Sequence, residues 1–350
     1  MSELAEKQQK SGLDYPYSEV PAPGTVQKVA EGVHWVRMPL PFTLDHINLW
    51  LIEDDDGFVL VDTGVAADDV KALWRQIFRS QLGGKPITRL IVTHLHPDHV
   101  GLAGWIARKW GIELEMSRTD FLQCRNLVLD TGRTAPPEAI SFYRAAGYSE
   151  RGLESYAKRF GGFGERVSRL PDVFRRLKDG DRLQIGGREW QVVVGSGHAP
   201  EHVCLWCPSL NIFIAGDQLL PRISSNVSVH PTEAYEDPLA EWLASCAKLR
   251  ALLPPDVLVL PAHNEPFRGA HDRLTDLIDG HEENLTQLYD YLDEPKRAID
   301  VFPALFKRKI GRDVFHMATG ESLAHLNCLM GRNEITKERD ENGVDWYRRA

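Results

Sequence analysis

The sequence contains little cysteine, no long apolar run and no excess of positive charge, and each absence excludes a class of protein. Five scattered cysteines in 350 residues are not a disulfide framework. A net charge of −9 gives no basic footprint for broad nucleic-acid binding. No apolar run reaches membrane-spanning length, and residues 1–20 lack the apolar segment of a signal peptide. We therefore expect a cytoplasmic protein with reduced thiols and no membrane partner. The net charge disfavours a nucleic-acid partner but leaves room for a local basic patch.

The composition is that of an ordinary globular protein. Hydrophobic residues make up 43% of the chain and charged residues 26%. A length of 350 residues suffices for one large domain with additions or for two domains. The single pair Cys204-x-x-Cys207 lies in an apolar run, so buried strand thiols explain it better than a zinc or redox site.

The densest group of potential metal ligands is the stretch Thr93-His94-Leu95-His96-Pro97-Asp98-His99. The apolar, β-branched run Arg89–Val92 predicts a buried strand before it. The apolar spacing from Val100 to Trp110 predicts a helix after it. The group therefore lies where a strand ends and a helix begins, which is where α/β folds place their chemistry.

The residue types in this stretch indicate a catalytic metal site. His94 and His96 are two residues apart, so on extended backbone their imidazoles point to one side. Asp98 and His99 follow on the turn and can supply an oxygen and a nitrogen to a second ion. A single loop histidine would be explained as a polar residue or a helix cap, but four ligand-type residues in six positions are not. No thiol is near, and imidazoles with carboxylates suit an ion that keeps one position open.

Hydrophobic periodicity predicts antiparallel strands followed by alternating strands and helices. A turn at Asp54-Asp55-Asp56-Gly57 joins two strands into a hairpin. An apolar stripe predicts an amphipathic helix from Ala67 to Leu82. Further strands are predicted at 32–38, 47–52, 58–61, 182–185, 190–194, 203–206, 212–217 and 257–260, and further helices at 238–252 and 271–292.

A potential metal ligand follows several of the predicted strands. Strand ends on the same edge of a sandwich converge in space, so we expect these residues to form one site. His202, four residues after His198, is within reach of that site, either as a residue that orients a ligand or as a core histidine. The ligands at predicted strand ends are His94, His198, Asp217 and His263.

Composition divides the chain into a tail, a central part and an appended segment. Residues 1–24 are polar and predict a mobile N-terminal tail. Residues 115–180 are helical in pattern, interrupted by Gly and Pro, and carry 12 Lys and Arg against 9 Asp and Glu; a lid and a surface decoration explain them equally well. After Glu294-Pro295, residues 296–350 predict a helix at 298–309, a helix at 319–330 and a hairpin around Asn342-Gly343, which is the order of a winged helix.

The ligand pattern resembles that of the metallo-β-lactamase superfamily over residues 25–295. His94-Leu95-His96-Pro97-Asp98-His99 is similar to the family motif His-x-His-x-Asp-His, and Asp62-Thr63-Gly64 to its early Asp-Thr-Gly. The later ligand segments of the family are matched, in order, by Gly197-His198, Gly216-Asp217 and Pro261-Ala262-His263. Glu201 and Asn264 lie where the family often has glycine, which alters the surroundings of two ligands and removes neither.

The resemblance implies an α/β (α+β) fold. Its form would be a four-layer αβ/βα sandwich of two mixed sheets with helices outside. The catalytic domain would span 25–295 with the helical insertion at about 115–180, followed by a small winged-helix-like domain at 296–350. That last segment is similar to the extension of the lactamase-beta-two-like branch, and the catalytic part is also similar to glyoxalase II-type hydrolases.

The resemblance also implies a role for each ligand candidate. Asp62 would orient a ligand through a hydrogen bond. Asp98 would be the catalytic residue, bonding the nucleophile and later carrying its proton. We expect two divalent ions per chain, with Zn²⁺ favoured and Fe²⁺ or Mn²⁺ compatible. The first ion would be held by His94, His96 and His198, the second by Asp98, His99 and His263, with Asp217 bridging both.

Three activities are compatible with this set of residues. The first is a dinuclear zinc hydrolase of a small ester, thioester or lactone, which the complete ligand set and the lid-sized insertion favour. Two ions about 3.5–4 Å apart lower the pKa of a shared water to near 7 and supply its nucleophile. The resemblance of the C-terminal segment suggests a second activity, that of a metal-dependent endoribonuclease or phosphodiesterase. However, residues 296–350 are only mildly basic, with 11 Lys and Arg against 8 Asp and Glu. We expect this segment to pack beside the active site or to form a homodimer contact. A mononuclear-iron persulfide dioxygenase shares most of these residues.

Overall fold

Two sheets form the centre of the protein. The computed structural model describes residues 12–42, 44–312 and 314–350. The first sheet has seven strands in sequence order; its first four strands are antiparallel, and strands four to seven are parallel. The strands are β1 (Val26–Ala30), β2 (Val33–Pro39), β3 (His46–Asp54), β4 (Gly57–Val61), β5 (Ile87–Ile91), β6 (Leu114–Met116) and β7 (Phe174–Arg176).

The second sheet has five strands in the order β12-β11-β10-β9-β8. Neighbouring strands from β8 to β11 are antiparallel, and β11 and β12 are parallel. A separate two-stranded hairpin closes the chain. The strands are β8 (Arg182–Ile185), β9 (Arg188–Gly195), β10 (His202–Cys207), β11 (Ile212–Gly216), β12 (Leu258–Pro261), β13 (Ile335–Arg339) and β14 (Asp345–Arg349).

The two sheets pack face to face, with helices on both outer faces. Trp35 and Trp50 of the first sheet share a buried apolar cluster with Val192 and Leu205 of the second. Two further buried clusters lie outside the sheets, one under the helices of the first sheet and one under the helices of the second. This arrangement confirms the predicted four-layer αβ/βα sandwich.

Helices cover the outer faces of both sheets. In the described part of the chain, no helix is long and apolar enough to cross a bilayer. The helices are α1 (Asp68–Ser80), α2 (Pro97–Val100), α3 (Ala103–Trp110), α4 (Arg118–Leu129), α5 (Pro137–Ala145), α6 (Glu150–Arg159), α7 (Pro238–Leu252), α8 (Ala270–Tyr291), α9 (Phe302–Leu305) and α10 (Phe315–Gly331).

The helix predicted at 100–110 is two helices that meet at Gly101. Asp98 and His99 lie in the first of them, α2, rather than on an open turn. Gly101 packs so closely that an added Cβ would lie 2.3 Å from the carbonyl oxygen of Pro97 and 2.6 Å from that of Gly64. Only glycine fits there, because both neighbours are backbone atoms. The close approach fixes α2 against the loop that follows β4.

Residues 115–180 are largely helical, as predicted, but they also contribute to the first sheet. Helices α4, α5 and α6 and a short 3-10 turn at Gly162–Arg166 make up most of the segment. The three-residue strands β6 and β7 flank α4–α6, and β6 pairs in parallel with β5 on one side and with β7 on the other. The prediction missed these strands because three residues are too few to show a period. The role of the segment as a lid stays a prediction.

The C-terminal segment has the predicted order of helix, helix and hairpin, with one boundary corrected. The helix predicted at 298–309 is a 3-10 turn (Ala298–Val301) and the short α9, which ends before Phe306. Lys307, Arg308 and Lys309 are exposed and bury no apolar face that would extend the helix. The second helix, α10, starts earlier than predicted and packs in the same apolar cluster as α7 and α8. The winged-helix class itself stays a prediction.

The tail predicted at 1–24 falls partly outside the described residues, which begin at 12. From there the chain contacts Arg268, which follows β12, and Val29 in β1. Asp14 pairs with Arg268 through backbone hydrogen bonds of 3.2 and 2.8 Å, and Leu13 is buried. The Tyr17 hydroxyl donates to the carbonyl of Val29. Residues 12–24 are therefore bonded to the body of the protein.

Substitution of Gly101 tests this packing. Gly101→Ala should lower the free energy of unfolding by about 1–3 kcal/mol, because the methyl group meets backbone that cannot yield. Gly280→Ala is the matched control, since Gly280 lies in α8 with open space around its Cβ position. It should be neutral or stabilising by up to about 1 kcal/mol. Denaturant unfolding measures both, and equal stability of the two variants would contradict the described contact at Gly101.

Candidate metal centre

All the ligand candidates meet at one edge of the sandwich. His94 and His96 follow β5, and Asp98 and His99 lie in α2. His198, Asp217 and His263 follow β9, β11 and β12. Their nitrogen and oxygen atoms fall into two groups, and the atoms of each group lie within 4.8 Å of one another. The first group is His94, His96, His198 and Asp217, and the second is Asp98, His99 and His263.

Three imidazole nitrogens converge in the first group. His96 Nδ1 lies 2.9 Å from His94 Nε2 and 3.0 Å from His198 Nε2. Asp217 Oδ2 lies 3.3 Å from His198 Nε2 and 4.0 Å from His94 Nε2. Ligands about 2.0–2.1 Å from a tetrahedral zinc ion lie roughly 3.3–3.4 Å from one another, which is within the range of these distances. The group therefore has the size and the donor atoms of a single-ion site.

The second group shares Asp217 with the first. Asp98 Oδ2 lies 3.4 Å from His263 Nε2 and 3.7 Å from His99 Nε2. Asp217 Oδ1 lies 3.3 Å from His263 Nε2, and Asp217 Oδ2 lies 3.5 Å from His99 Nε2. One carboxylate therefore contacts both groups, as a bridging ligand would.

Burial and neighbouring charge shift the pKa values of His96 in the first group and of His263 and Asp98 in the second in different directions. Burial, with His198 beside it, lowers the pKa of His96 to about 3, so its imidazole is neutral at pH 7. Burial also lowers the pKa of His263, but Asp217 and Asp98 outweigh it and raise that pKa to about 10. Burial raises the pKa of Asp98, but His99 and His263 outweigh it and bring the value to about 2. His96 in the first group is thus a neutral imidazole at pH 7, whereas His263 in the second group has the negative charge of Asp217 and Asp98 beside it.

Two buried atoms of the site have no hydrogen-bond partner within the described residues. They are His99 Nε2 and Asp217 Oδ1, and both face the space between the ligand groups. An unpaired buried polar atom costs about 1–3 kcal/mol, so such atoms need an explanation. A divalent cation satisfies both, since nitrogen and carboxylate oxygen are ligands for Zn²⁺, Fe²⁺ and Mn²⁺. The residues present fit a divalent metal.

Hydrogen bonds on the far side of each ring fix three of the histidines. His198 Nδ1 donates to the carbonyl of Asn226 at 2.7 Å, and His263 Nδ1 donates to that of His46 at 2.8 Å. His99 Nδ1 lies 2.8 Å from Asp62 Oδ2. Each bond takes up one ring nitrogen and leaves the other to face the site.

Asp62 connects two parts of the first ligand loop. Its carboxylate accepts bonds from the backbone N–H and the hydroxyl of Thr93, both at 2.8 Å, besides contacting His99. Its φ of 62° is rare for a residue other than glycine. Because the chain turns sharply after β4, this buried carboxylate faces Thr93 and His99. The family resemblance implies that it orients a ligand there.

His202 holds the backbone of Asp217 through a hydrogen bond. Its Nε2 accepts the backbone N–H of Asp217 at 3.1 Å, and its ring stacks on His94 with centroids 4.6 Å apart. At Gly216, where φ is 52°, a Cβ would lie 2.5 Å from the His202 ring. Of the two roles considered for His202, these contacts favour positioning a ligand.

Asp120, at the start of α4, is a site residue that sequence reasoning missed. Its fully buried carboxylate accepts the N–H of Leu95 at 3.0 Å, the N–H of Glu201 at 2.8 Å and the hydroxyl of Ser117 at 3.2 Å. It therefore ties the loop of His94 and His96 to the loop after His198. Burial raises its pKa to about 6 against the effect of these bonds. No local pattern marks Asp120, because its partners lie 25 and 81 residues away.

Family models match both parts of the chain. The model of the metallo-beta-lactamase superfamily matches residues 42–263, and that of the metallo-beta-lactamase-like C-terminal domain matches residues 285–350. The chain belongs to the metallo-β-lactamase superfamily. This confirms the predicted family.

Individual relatives agree with this membership. The probable metallo-hydrolase YqjP of Bacillus subtilis (strain 168) is 24% identical over 326 residues, which are 90% of this chain and 97% of the relative. A crystal structure of a beta-lactamase domain protein from Burkholderia ambifaria is 36% identical, with a TM-score of 0.89, and covers 99% of this chain and 100% of that one. A hydroxyacylglutathione hydrolase of Fuscovulum blasticum is 31% identical over 96 residues, 27% of this chain and 38% of the relative. The metallo-β-lactamase-fold protein is thus an enzyme, a metallo-hydrolase, as predicted.

Asp120 offers a test of the site's framework. Asp120→Ala should lower the free energy of unfolding by about 2–5 kcal/mol, because it leaves the buried N–H of Leu95 and the partly buried N–H of Glu201 unpaired. Asp120→Asn keeps one oxygen acceptor and should lose clearly less. Denaturant unfolding of the metal-free protein measures both. If alanine is no worse than asparagine, the hydrogen bonds of Asp120 do not hold the two loops together.

Proposed function

We propose that the protein is a dinuclear zinc hydrolase that cleaves a small-molecule ester, thioester or lactone. The observation that carries this proposal is the position of Asp217. One of its oxygens lies 3.3 Å from His198 of the first group, and the other lies 3.3 Å from His263 of the second. A carboxylate in contact with both groups is what a pair of ions needs in order to share a bridging ligand.

The residues divide between the two ions. A bound pair supplies a nucleophile from water near neutral pH and polarises the carbonyl of the substrate. Asp217 would serve as a ligand shared by the two groups, and His202 holds Asp217 in place by accepting its backbone N–H. His94, His96 and His198 would hold the first ion, and Asp98, His99 and His263 would hold the second.

Asp98 is the proposed catalytic residue. The nearby His99 and His263 keep its pKa near 2, against the effect of burial, so the carboxylate stays ionised at neutral pH. An ionised carboxylate accepts a hydrogen bond from the attacking water and orients it. As the water attacks, Asp98 would take up the proton released from its O–H bond and would then give it to the leaving group.

Two observations favour an acyl substrate over RNA. The similarity to a hydroxyacylglutathione hydrolase covers 96 residues, and an acylglutathione is a thioester. The net charge of −9 disfavours a polyanionic substrate. We therefore propose a small-molecule substrate and place the endoribonuclease, phosphodiesterase and persulfide dioxygenase activities below it.

A substrate panel with the zinc-loaded protein tests this proposal. We expect hydrolysis of acyl thioesters, esters or lactones, and no cleavage of RNA, phosphodiesters or β-lactams at comparable rates. His96→Ala should reduce the activity at least about 100-fold, because it removes a ligand of the first ion. His34→Ala is the matched control: His34 pairs with Glu53 and packs on Phe58, at the opposite end of the first sheet.

Two results would contradict the proposal. Cleavage of RNA alone would make the protein a nuclease. One iron per chain with oxygen-dependent turnover of a persulfide would make it a dioxygenase.

A further inference from the structure

We propose that Glu321, on helix α10 of the C-terminal segment, positions His198 through Asn226 and thereby sets how tightly the first group of ligands holds its ion. The inference rests on the metal centre proposed above and extends it into a part of the chain that contributes no ligand. Glu321 would act as a positioning residue, since it touches neither the ion nor the substrate.

The connection begins at the imidazole of His198. Its Nδ1 donates to the backbone carbonyl of Asn226 at 2.7 Å. This bond fixes Nε2 as the nitrogen without a proton, which faces His96 Nδ1 at 3.0 Å. The orientation of the ring therefore follows the position of the Asn226 carbonyl.

Asn226 is in turn held by its own side chain. Its amide donates to Glu321 Oε2 at 2.8 Å, and its amide oxygen accepts the hydroxyl of Ser228 at 2.5 Å. Glu321 lies 95 residues farther along the chain. A side-chain bond that fixes a residue also fixes the carbonyl of that residue, so the glutamate controls the atom that His198 bonds.

The loop around Asn226 depends on α10 for its shape. It lies between β11 and α7 and includes no strand, and the Val229 N–H bonds to the carbonyl of Gly320 at 3.1 Å. A Cβ on Gly320 would lie 2.7 Å from Ser228 Oγ, so loop and helix are in close contact. The same loop also reaches the bridging carboxylate residue, because the Ser225 hydroxyl donates to the backbone carbonyl of Asp217.

Burying the carboxyl group of Glu321 costs free energy, and this cost supports a specific role for the residue. It is half-buried, and burial raises the pKa of its carboxyl to about 7 in spite of the hydrogen bond from Asn226. An apolar residue at this position of a buried helix would pack without that cost. A residue that breaks a local rule in this way is often found where function requires it.

Metal affinity separates positioning from simple helix packing. Glu321→Leu removes the acceptor, and Glu321→Gln keeps an oxygen for the Asn226 amide. Glu283→Leu is the matched control, because Glu283 is exposed on α8. Competition with a chromophoric zinc chelator measures the affinity of the tighter and the weaker ion in each variant, and thermal unfolding of the metal-free proteins reports the fold.

We expect Glu321→Leu to weaken binding of one ion by about 10–100-fold, the usual effect of removing a group that orients a ligand. Glu321→Gln should stay within about threefold of the wild type, and Glu283→Leu should match the wild type. Wild-type affinity in a folded Glu321→Leu protein would overturn the inference. So would a Glu321→Gln protein as weak as Glu321→Leu, since the acceptor oxygen would then be irrelevant.

A second variant covers the case in which Glu321→Leu does not fold. Asn226→Ala keeps the backbone carbonyl but loses the amide that bonds Glu321, and it should weaken the same ion at least about tenfold. Unchanged affinity in this variant would contradict the connection. A wild-type protein that binds two ions and hydrolyses no member of the panel would remove the proposed function and leave this inference intact. An active wild type together with a Glu321→Leu variant of unchanged metal affinity would support the proposed function and overturn this inference.

Discussion

The contact of one buried carboxylate with two groups of histidines is the interaction on which this structure depends. Asp217 lies between the groups, and its own pKa is held well below the usual range by His263 and His99, although burial acts in the opposite direction. Buried charges and buried polar atoms without a hydrogen-bond partner lower the stability of the fold, and this site contains several of both. Their cost is offset when the ligand atoms share a cation, which makes the site suited to metal and poorly suited to any apolar role.

The fold serves this contact by bringing the ends of both sheets together. The Val203 N–H bonds to the Thr93 carbonyl at 2.7 Å, and the Asn48 N–H bonds to the Ala262 carbonyl at 2.7 Å. These two bonds join the first sheet to the second directly beside the ligands. The core between the sheets, which is rich in tryptophan, holds them at a fixed separation. The loops that carry the ligands are therefore attached to rigid elements.

Much of this could be predicted from the sequence, because the ligands follow strong local patterns. The strands that end at His94, His198, Asp217 and His263 are apolar enough to recognise, and the spacing of the first four ligands is specific. The framework around the ligands could not be predicted in this way. Asp120, Asn226 and Glu321 act through contacts 25 to 95 residues away, and no periodicity marks them. Strands β6 and β7 were missed because their partners, rather than their own residues, make them strands.

The most direct test of the account is anomalous diffraction from crystals of the full chain grown with zinc, recorded on both sides of the zinc absorption edge. Two peaks per chain are predicted, one among His94, His96 and His198 and one among Asp98, His99 and His263, with Asp217 in contact with both. A single peak, or two peaks with Asp217 bound to only one of them, would contradict the dinuclear centre.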